Sequence, residues 1–127
     1  MEQKTSILTV DDNISLCKTM SFILRRMGYD VTIANNGYEA ISRIKETHFD
    51  TIFMDIKMPG IDGVETYKKI KKIKPDAVVV MMTAYAVNEL IKQAMEEGAY
   101  GIIYKPLEMG DVIRLLDGIL KEKQKVK

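Results

Sequence analysis

Cysteine is almost missing from this 127-residue chain, which carries Cys17 alone. A single cysteine excludes an internal disulfide, so a reducing cytoplasm is the simplest setting. Cys17 falls in an expected helix and reads as a plain packing or partly exposed residue. A charge of one sign is missing too. Nineteen basic and 18 acidic side chains leave a formal net charge of +1, so no global field points to nucleic acid or membrane as a partner. No apolar run is long enough to span a bilayer. The start, Met1-Glu2-Gln3-Lys4, lacks the apolar core of a secretory leader. Repeats, linkers and low-complexity stretches are absent. The reading is one domain over 1–127, with a core of about 5–121 and a charged tail, 122–127, that frays. That tail is either a true end or a cut ahead of a further domain.

Apolar runs alternating with helical patterns fill the chain. Residues 6–11 read as a strand, and 14–27 as a helix with Leu16, Met20, Ile23, Leu24 and Met27 on one face. Gly28 ends it. A strand over 29–34 and a short helix over 38–46 follow, separated by the turn signal Asn35-Asn36-Gly37. The third strand is Thr51 to Asp55. Asp62-Gly63-Val64-Glu65 has the form of a helix cap with an acidic partner, which predicts a helix to about Ile73. The fourth strand, 77–83, is apolar at nearly every position, as burial on both faces of a parallel sheet requires. Val87, Leu90, Ile91, Ala94 and Met95 stripe a fourth helix. A fifth strand spans 101–105, and Met109, Val112, Ile113, Leu116, Ile119 and Leu120 stripe the last helix. Strict βα alternation with short connections predicts an α/β fold, a parallel sheet with helices on both faces and right-handed crossovers.

Four of these strands end in a polar group. Asp11 and Asp12 follow the first, Asp55 closes the third, Thr83 the fourth, and Lys105 the fifth. Strand carboxyl ends of a parallel sheet share one edge, so three acids, a hydroxyl and an ammonium should converge. Carboxylates with a backbone carbonyl and waters suit Mg²⁺, and Asp11, Asp12, Asp55 and the Lys57 carbonyl could supply them. Acids packed together repel, so a metal or Lys105 must offset the charge. Asp55 can also act as a nucleophile, since carboxylates form aspartyl phosphates. Lys105 and a metal would stabilise the oxygens of a transferring phosphoryl group, and the Thr83 hydroxyl could donate to one of them.

Val10-Asp11-Asp12, Asp55-Ile56-Lys57-Met58-Pro59-Gly60-Ile61-Asp62-Gly63, Met82-Thr83-Ala84 and Tyr104-Lys105-Pro106 together resemble the receiver domains of two-component response regulators. The resemblance is to the chemotaxis-regulator type and runs from about Ile7 to Leu120. It implies a doubly wound, flavodoxin-like (βα)₅ fold with strand order 2-1-3-4-5. It implies that Asp55 accepts a phosphoryl group from a histidine kinase or histidine phosphotransfer protein, in a two-component system or phosphorelay. It also implies Mg²⁺ on Asp12, Asp55 and the Lys57 carbonyl, with Asp11 acting more through water. Lys105 pairs with the phosphoryl group or Asp55, and Thr83 moves when the phosphoryl arrives. The Lys105–Pro106 bond is expected to be cis. The family often carries an aromatic three positions before the lysine; here that position is Ile102. Tyr104 shares its strand face but stands nearer the site.

The expectation is therefore a phosphorylation-controlled switch rather than a turnover enzyme, read by a downstream output protein or domain. Its phosphoryl group should be long-lived, because Lys57 and Tyr85 flank the approach of water and neither orients it. A haloacid-dehalogenase-type hydrolase would need a second Asp where Lys57 stands. A flavin binder would need a phosphate-cradling loop where Asp11-Asp12-Asn13 would repel the phosphate. His48, the only histidine, sits in a helix-to-strand turn and reads as a surface or capping residue rather than a phosphate carrier. The lysines at 68, 69, 71, 72 and 74 read as a solvated helix face rather than a nucleic-acid patch.

Overall fold

The computed structural model describes residues 4–84 and 88–125. Strands and helices alternate: β1 (Ser6–Val10), α1 (Ile14–Arg26), β2 (Asp30–Ala34), α2 (Gly37–Glu46), β3 (Thr51–Asp55), α3 (Gly63–Ile73), β4 (Val79–Thr83), α4 (Asn88–Glu96), β5 (Gly101–Tyr104) and α5 (Met109–Lys125). The strands form one parallel sheet in the order β2-β1-β3-β4-β5. The expected alternation and the implied strand order both hold.

Strand periodicity divides the core in two. Leu8, Val10, Ile52, Met54, Val79 and Met81 face a cluster with Ala40, Ile44, Val64, Tyr67, Ile70 and Ala94, which come from α2, α3 and α4. Ile7, Phe53, Val80, Met82 and Ile103 face the other way, onto Met20 and Leu24 of α1 and Val112, Leu116 and Ile119 of α5. Every residue of β3 and β4 is buried. Covering both faces is what makes these strands continuous apolar runs, each large side chain contributing about 1.5–3 kcal/mol of transfer energy.

Helix starts follow side-chain capping. Asn13 accepts from the Leu16 amide, Asn36 from Glu39, and Asp62 from Glu65. The cap of α1 is thus Asn13, which leaves Asp11 and Asp12 for other work. Gly63 lets α3 start against the end of β3: a Cβ there would collide with the Asp55 carbonyl oxygen.

Four elements differ from the sequence pattern. The apolar run 77–83 pairs as a strand only from Val79. Met27 and Met95 match their stripes but are 44% and 46% exposed. Met27 caps the end of α1 rather than packing under it. The last helix continues through Lys125, past the Leu120 at which its apolar stripe ends. Lys123 reaches Asp50 at 3.5 Å, so the charged stretch has a partner on the body of the domain.

Candidate functional site

Register alone brings the polar strand ends together. Val10 pairs with Met54, so Asp11 arrives beside Asp55. Asp55 pairs with Met82 and Thr83 with Tyr104, which places Thr83 and Lys105 on the same edge. The Lys105 amide donates to the Thr83 carbonyl at 2.8 Å. The Lys105–Pro106 bond is cis.

The Lys105 ammonium lies 2.6 Å from Asp11 Oδ2 and 3.4 Å from Asp55 Oδ2. Asp11 is completely buried, and its other oxygen accepts from the Asn13 amide at 3.0 Å. Its carbonyl accepts from Asn35 Nδ2 at 3.1 Å and from the Cys17 thiol at 3.4 Å. Asp12 is exposed beside them. Carboxylate oxygens of Asp11, Asp12 and Asp55 all lie within 4.8 Å of one another.

One ammonium does not balance this cluster. Burial and the neighbouring Asp11 charge push the Asp55 carboxyl up to about 7, against the pull of Lys105. Burial opposes charge on Lys105 as well, but its hydrogen bond to Asp11 and the two carboxylate charges hold its pKa above the ordinary value. Cys17 is pushed up to about 12 by burial first and by Asp11 second, so it stays a protonated packing residue.

The cluster forms the polar floor of an open cavity of about 750 Å³. Asp12, Asn13, Lys57, Met58, Pro59, Asp62, Ala84 and Leu90 line it with Asp11, Asp55 and Lys105. Thr83 is buried at the end of β4, next to the lining residue Ala84. Ile102 is half-buried against the core formed with α2, α3 and α4, whereas Tyr104 is 57% exposed. Tyr85 lies outside the described residues. Asn13, Asp62 and Leu90 belong to the cavity wall but were not singled out for it. Asp62 was legible only as a helix cap, Asn13 only as one of three adjacent polar residues, and Leu90 only as one residue of an amphipathic stripe.

His48 is exposed on the opposite edge of the sheet, 3.3 Å from Asp50. The α3 lysines are partly engaged within the domain: Lys68 meets Glu65 at 3.4 Å and Lys71 meets Glu97 at 3.5 Å. No described helix is long and apolar enough to cross a membrane.

A fold of this order with acids after β1 and β3 and a lysine after β5 defines a class, and comparison with known proteins names it. The response regulator receiver domain model matches residues 7–117. The chain belongs to that family. The transcriptional regulatory protein ZraR of Klebsiella oxytoca is 41% identical over 106 residues, which are 84% of this chain and 24% of that protein. The chain thus spans about a quarter of that relative's length. A CheY-like receiver domain protein from Methanospirillum hungatei JF-1 superposes with a TM-score of 0.94 at 30% identity, covering 98% of this chain and all of that one. The response regulator TrrA from Thermotoga maritima, solved in complex with Mg²⁺ and BeF, gives a TM-score of 0.82 at 28% identity, covering 92% of this chain and 99% of that one. The hydrolase and flavin-binding readings are not favoured.

Proposed function

We infer that this receiver domain is a switch whose phosphoacceptor is Asp55 and whose phosphorylation requires Mg²⁺. The observation that carries the reading is the Asp55 carboxyl on the cavity floor, pushed to about 7 by burial and Asp11 and held 3.4 Å from Lys105. A carboxylate kept short of full compensation is poised to take a cation and then an electrophile. The donor set suits the metal, since three carboxylates within 4.8 Å offer hard oxygen ligands. Asp12, Asp55 and the Lys57 carbonyl would hold it, with Asp11 acting through water. When bound, Mg²⁺ would favour the ionised form of Asp55 and offset charge on the phosphoryl oxygens.

The chain's own residues do the rest. An Asp55 oxygen forms the bond to phosphorus, and the bond from phosphorus to the donor nitrogen breaks. The leaving nitrogen keeps the electron pair. Lys105 moves its charge from the Asp11–Asp55 pair toward the new phosphoryl oxygens. Thr83, at the neighbouring strand end, is the hydroxyl that answers the phosphoryl group, and Ile102 and Tyr104 on β5 are the positions through which that change is read. With an aliphatic Ile102 and an exposed Tyr104, the domain lacks a buried aromatic at these positions to move with Thr83.

The natural donor is a phosphohistidine on a histidine kinase or phosphotransfer protein, and the reader is an output protein or domain. The setting is the cytoplasm. The domain assists its own phosphorylation and dephosphorylation without turning over a substrate. Lys57 at the cavity wall, together with Tyr85, is expected to slow attack by water. The decay of the phosphorylated form should therefore quicken in Lys57→Asn and Tyr85→Ala; unchanged decay in both would remove that shielding role.

Incubation with phosphoramidate and Mg²⁺ tests the main reading by intact mass. A gain of about 80 Da, one phosphoryl group on a carboxylate nucleophile, should appear in the wild type and vanish in Asp55→Asn or in EDTA. Persistence of the adduct in either would overturn the assignment.

A further inference from the structure

The cavity has two halves of different chemistry. Its floor is charged: Asp11, Asp12, Asp55 and Lys105. Its wall carries the polar Asn13, Lys57 and Asp62 beside an apolar patch: Met58 and Pro59 from the loop between β3 and α3, Ala84 after β4, and Leu90 on α4. Attack by Asp55 proceeds in line, so the leaving group departs from the phosphorus on the side away from the carboxylate, toward the mouth. A phosphoryl group needs only the floor. The apolar patch of the wall is surplus to that need.

We propose that Met58 and Leu90 form a leaving-group subsite, a wall that selects donors in which phosphorus is bonded to a flat heteroaromatic ring over donors with a bare amine. The proposal rests on Asp55 as the acceptor. Leu90 and Met58 are both half-buried and pack against the core cluster on the α2–α4 side of the sheet. Each therefore has a fixed inner part and an outer part that reaches the cavity. Met is flexible and polarizable and makes favourable contacts with ring edges. Leu90 places the subsite partly on α4, so the donor's ring would touch the helix that follows the Thr83 strand end.

The balance is simple. A phosphoimidazole ring is protonated on its far nitrogen. The phosphorus–nitrogen bond breaks, the ring nitrogen keeps the pair, and neutral imidazole leaves while the Asp55 oxygen–phosphorus bond forms. No other reactant is consumed. A ring that stays against Met58 and Leu90 as it leaves loses less contact with its surroundings than one leaving into water, so the wall acts on the transition state.

N-phosphoimidazole and phosphoramidate serve as the pair of probes. Both break a phosphorus–nitrogen bond, but only one carries a ring. Initial rates of phosphorylation are measured by intact mass with Mg²⁺ in the wild type, Met58→Gln and Leu90→Gln. Glutamine keeps the length of methionine and is a good helix former at position 90. The ratio of the ring donor's rate to the amine donor's rate should fall about threefold in each variant, as partial loss of apolar contact implies, and further in the double variant. The ratio cancels a general effect of either substitution on folding or metal binding. A ratio equal to the wild type's in all three variants, with both donors still labelling Asp55, overturns the subsite and leaves the acceptor assignment standing. No labelling of the wild type by either donor overturns both.

Discussion

One strand is bracketed by two aspartates with opposite fates. Asp50 stands just before β3 and Asp55 closes it. Asp50 is buried enough to raise its pKa, yet the Ser6 amide at 2.8 Å, Lys123 and His48 outweigh that burial and hold it below the ordinary range. Asp55 is pushed to about 7 because burial is joined by a second acid and answered by a shared lysine. The residue type is the same, so the difference lies in what the two ends of a parallel sheet offer. At the amino edge, Asp50 accepts from the Ser6 amide that starts β1. At the carboxyl edge, register stacks acids side by side. One aspartate is satisfied and fastens the fold; the other is left short of compensation and is available for chemistry.

Removing the shared cation should break this contrast most strongly. Lys105→Met leaves Asp11 and Asp55 together without a counter-charge, and stability in metal-free buffer at neutral pH should drop by about 3 kcal/mol. The drop should shrink on adding Mg²⁺ or on lowering the pH toward 5, as read by denaturant melts. A loss that ignores both would mean that Lys105 acts through packing alone.

At the other edge, Asp50→Ala strips the β1 amide of its acceptor and should cost about 1.5 kcal/mol at pH 7. Since the folded pKa of Asp50 lies below 3.8, its contribution is complete above that value and disappears as pH falls through the folded one. Melts of wild type and variant should therefore converge in strong acid.

Asp55→Asn should act in the opposite sense, raising the stability of the metal-free protein by about 1 kcal/mol at pH 8 by removing one of two repelling charges. The folded Asp55 carboxyl keeps its proton between 3.8 and about 7, where the unfolded one has lost it. Stability from this group therefore falls as pH rises through that window. Asp55→Asn should flatten that slope, as a series of thermal midpoints would show. Asp12→Asn should weaken Mg²⁺ binding while leaving the metal-free fold intact.

The smallest effect belongs to Lys123→Met. Its pair with Asp50 is 3.5 Å long and partly exposed, worth under about 0.5 kcal/mol and weakened by salt. Hydrogen exchange over the last turns of α5 would register the change where a melt does not.

These contrasts also mark what the sequence could reveal. Strand ends were legible because burial on both faces makes each strand a continuous apolar run, so the first polar residue after it marks the edge. Asp11, Asp55, Thr83 and Lys105 were found that way. Caps were less legible: Asn13 rather than an aspartate starts α1, and three adjacent polar residues give no hint of which one turns back. The reach of α5 to Lys125 was hidden because its partner, Asp50, lies far away in the chain. The apolar side of the cavity was hidden for the same reason. Met58 and Leu90 come from separate elements: the first reads by itself as part of the loop after Asp55, the second as one residue of an amphipathic stripe.

The contrast between the two ends of β3 is tested most directly by a carbon-13 carboxyl titration of the metal-free protein, with Asp50 and Asp55 assigned through Asp50→Asn and Asp55→Asn. Asp55 should titrate at about 7 and Asp50 below 3.8, and Mg²⁺ should move Asp55 downward while leaving Asp50 in place. Two aspartates titrating together in the ordinary carboxylate range, with Mg²⁺ shifting neither, would contradict the account.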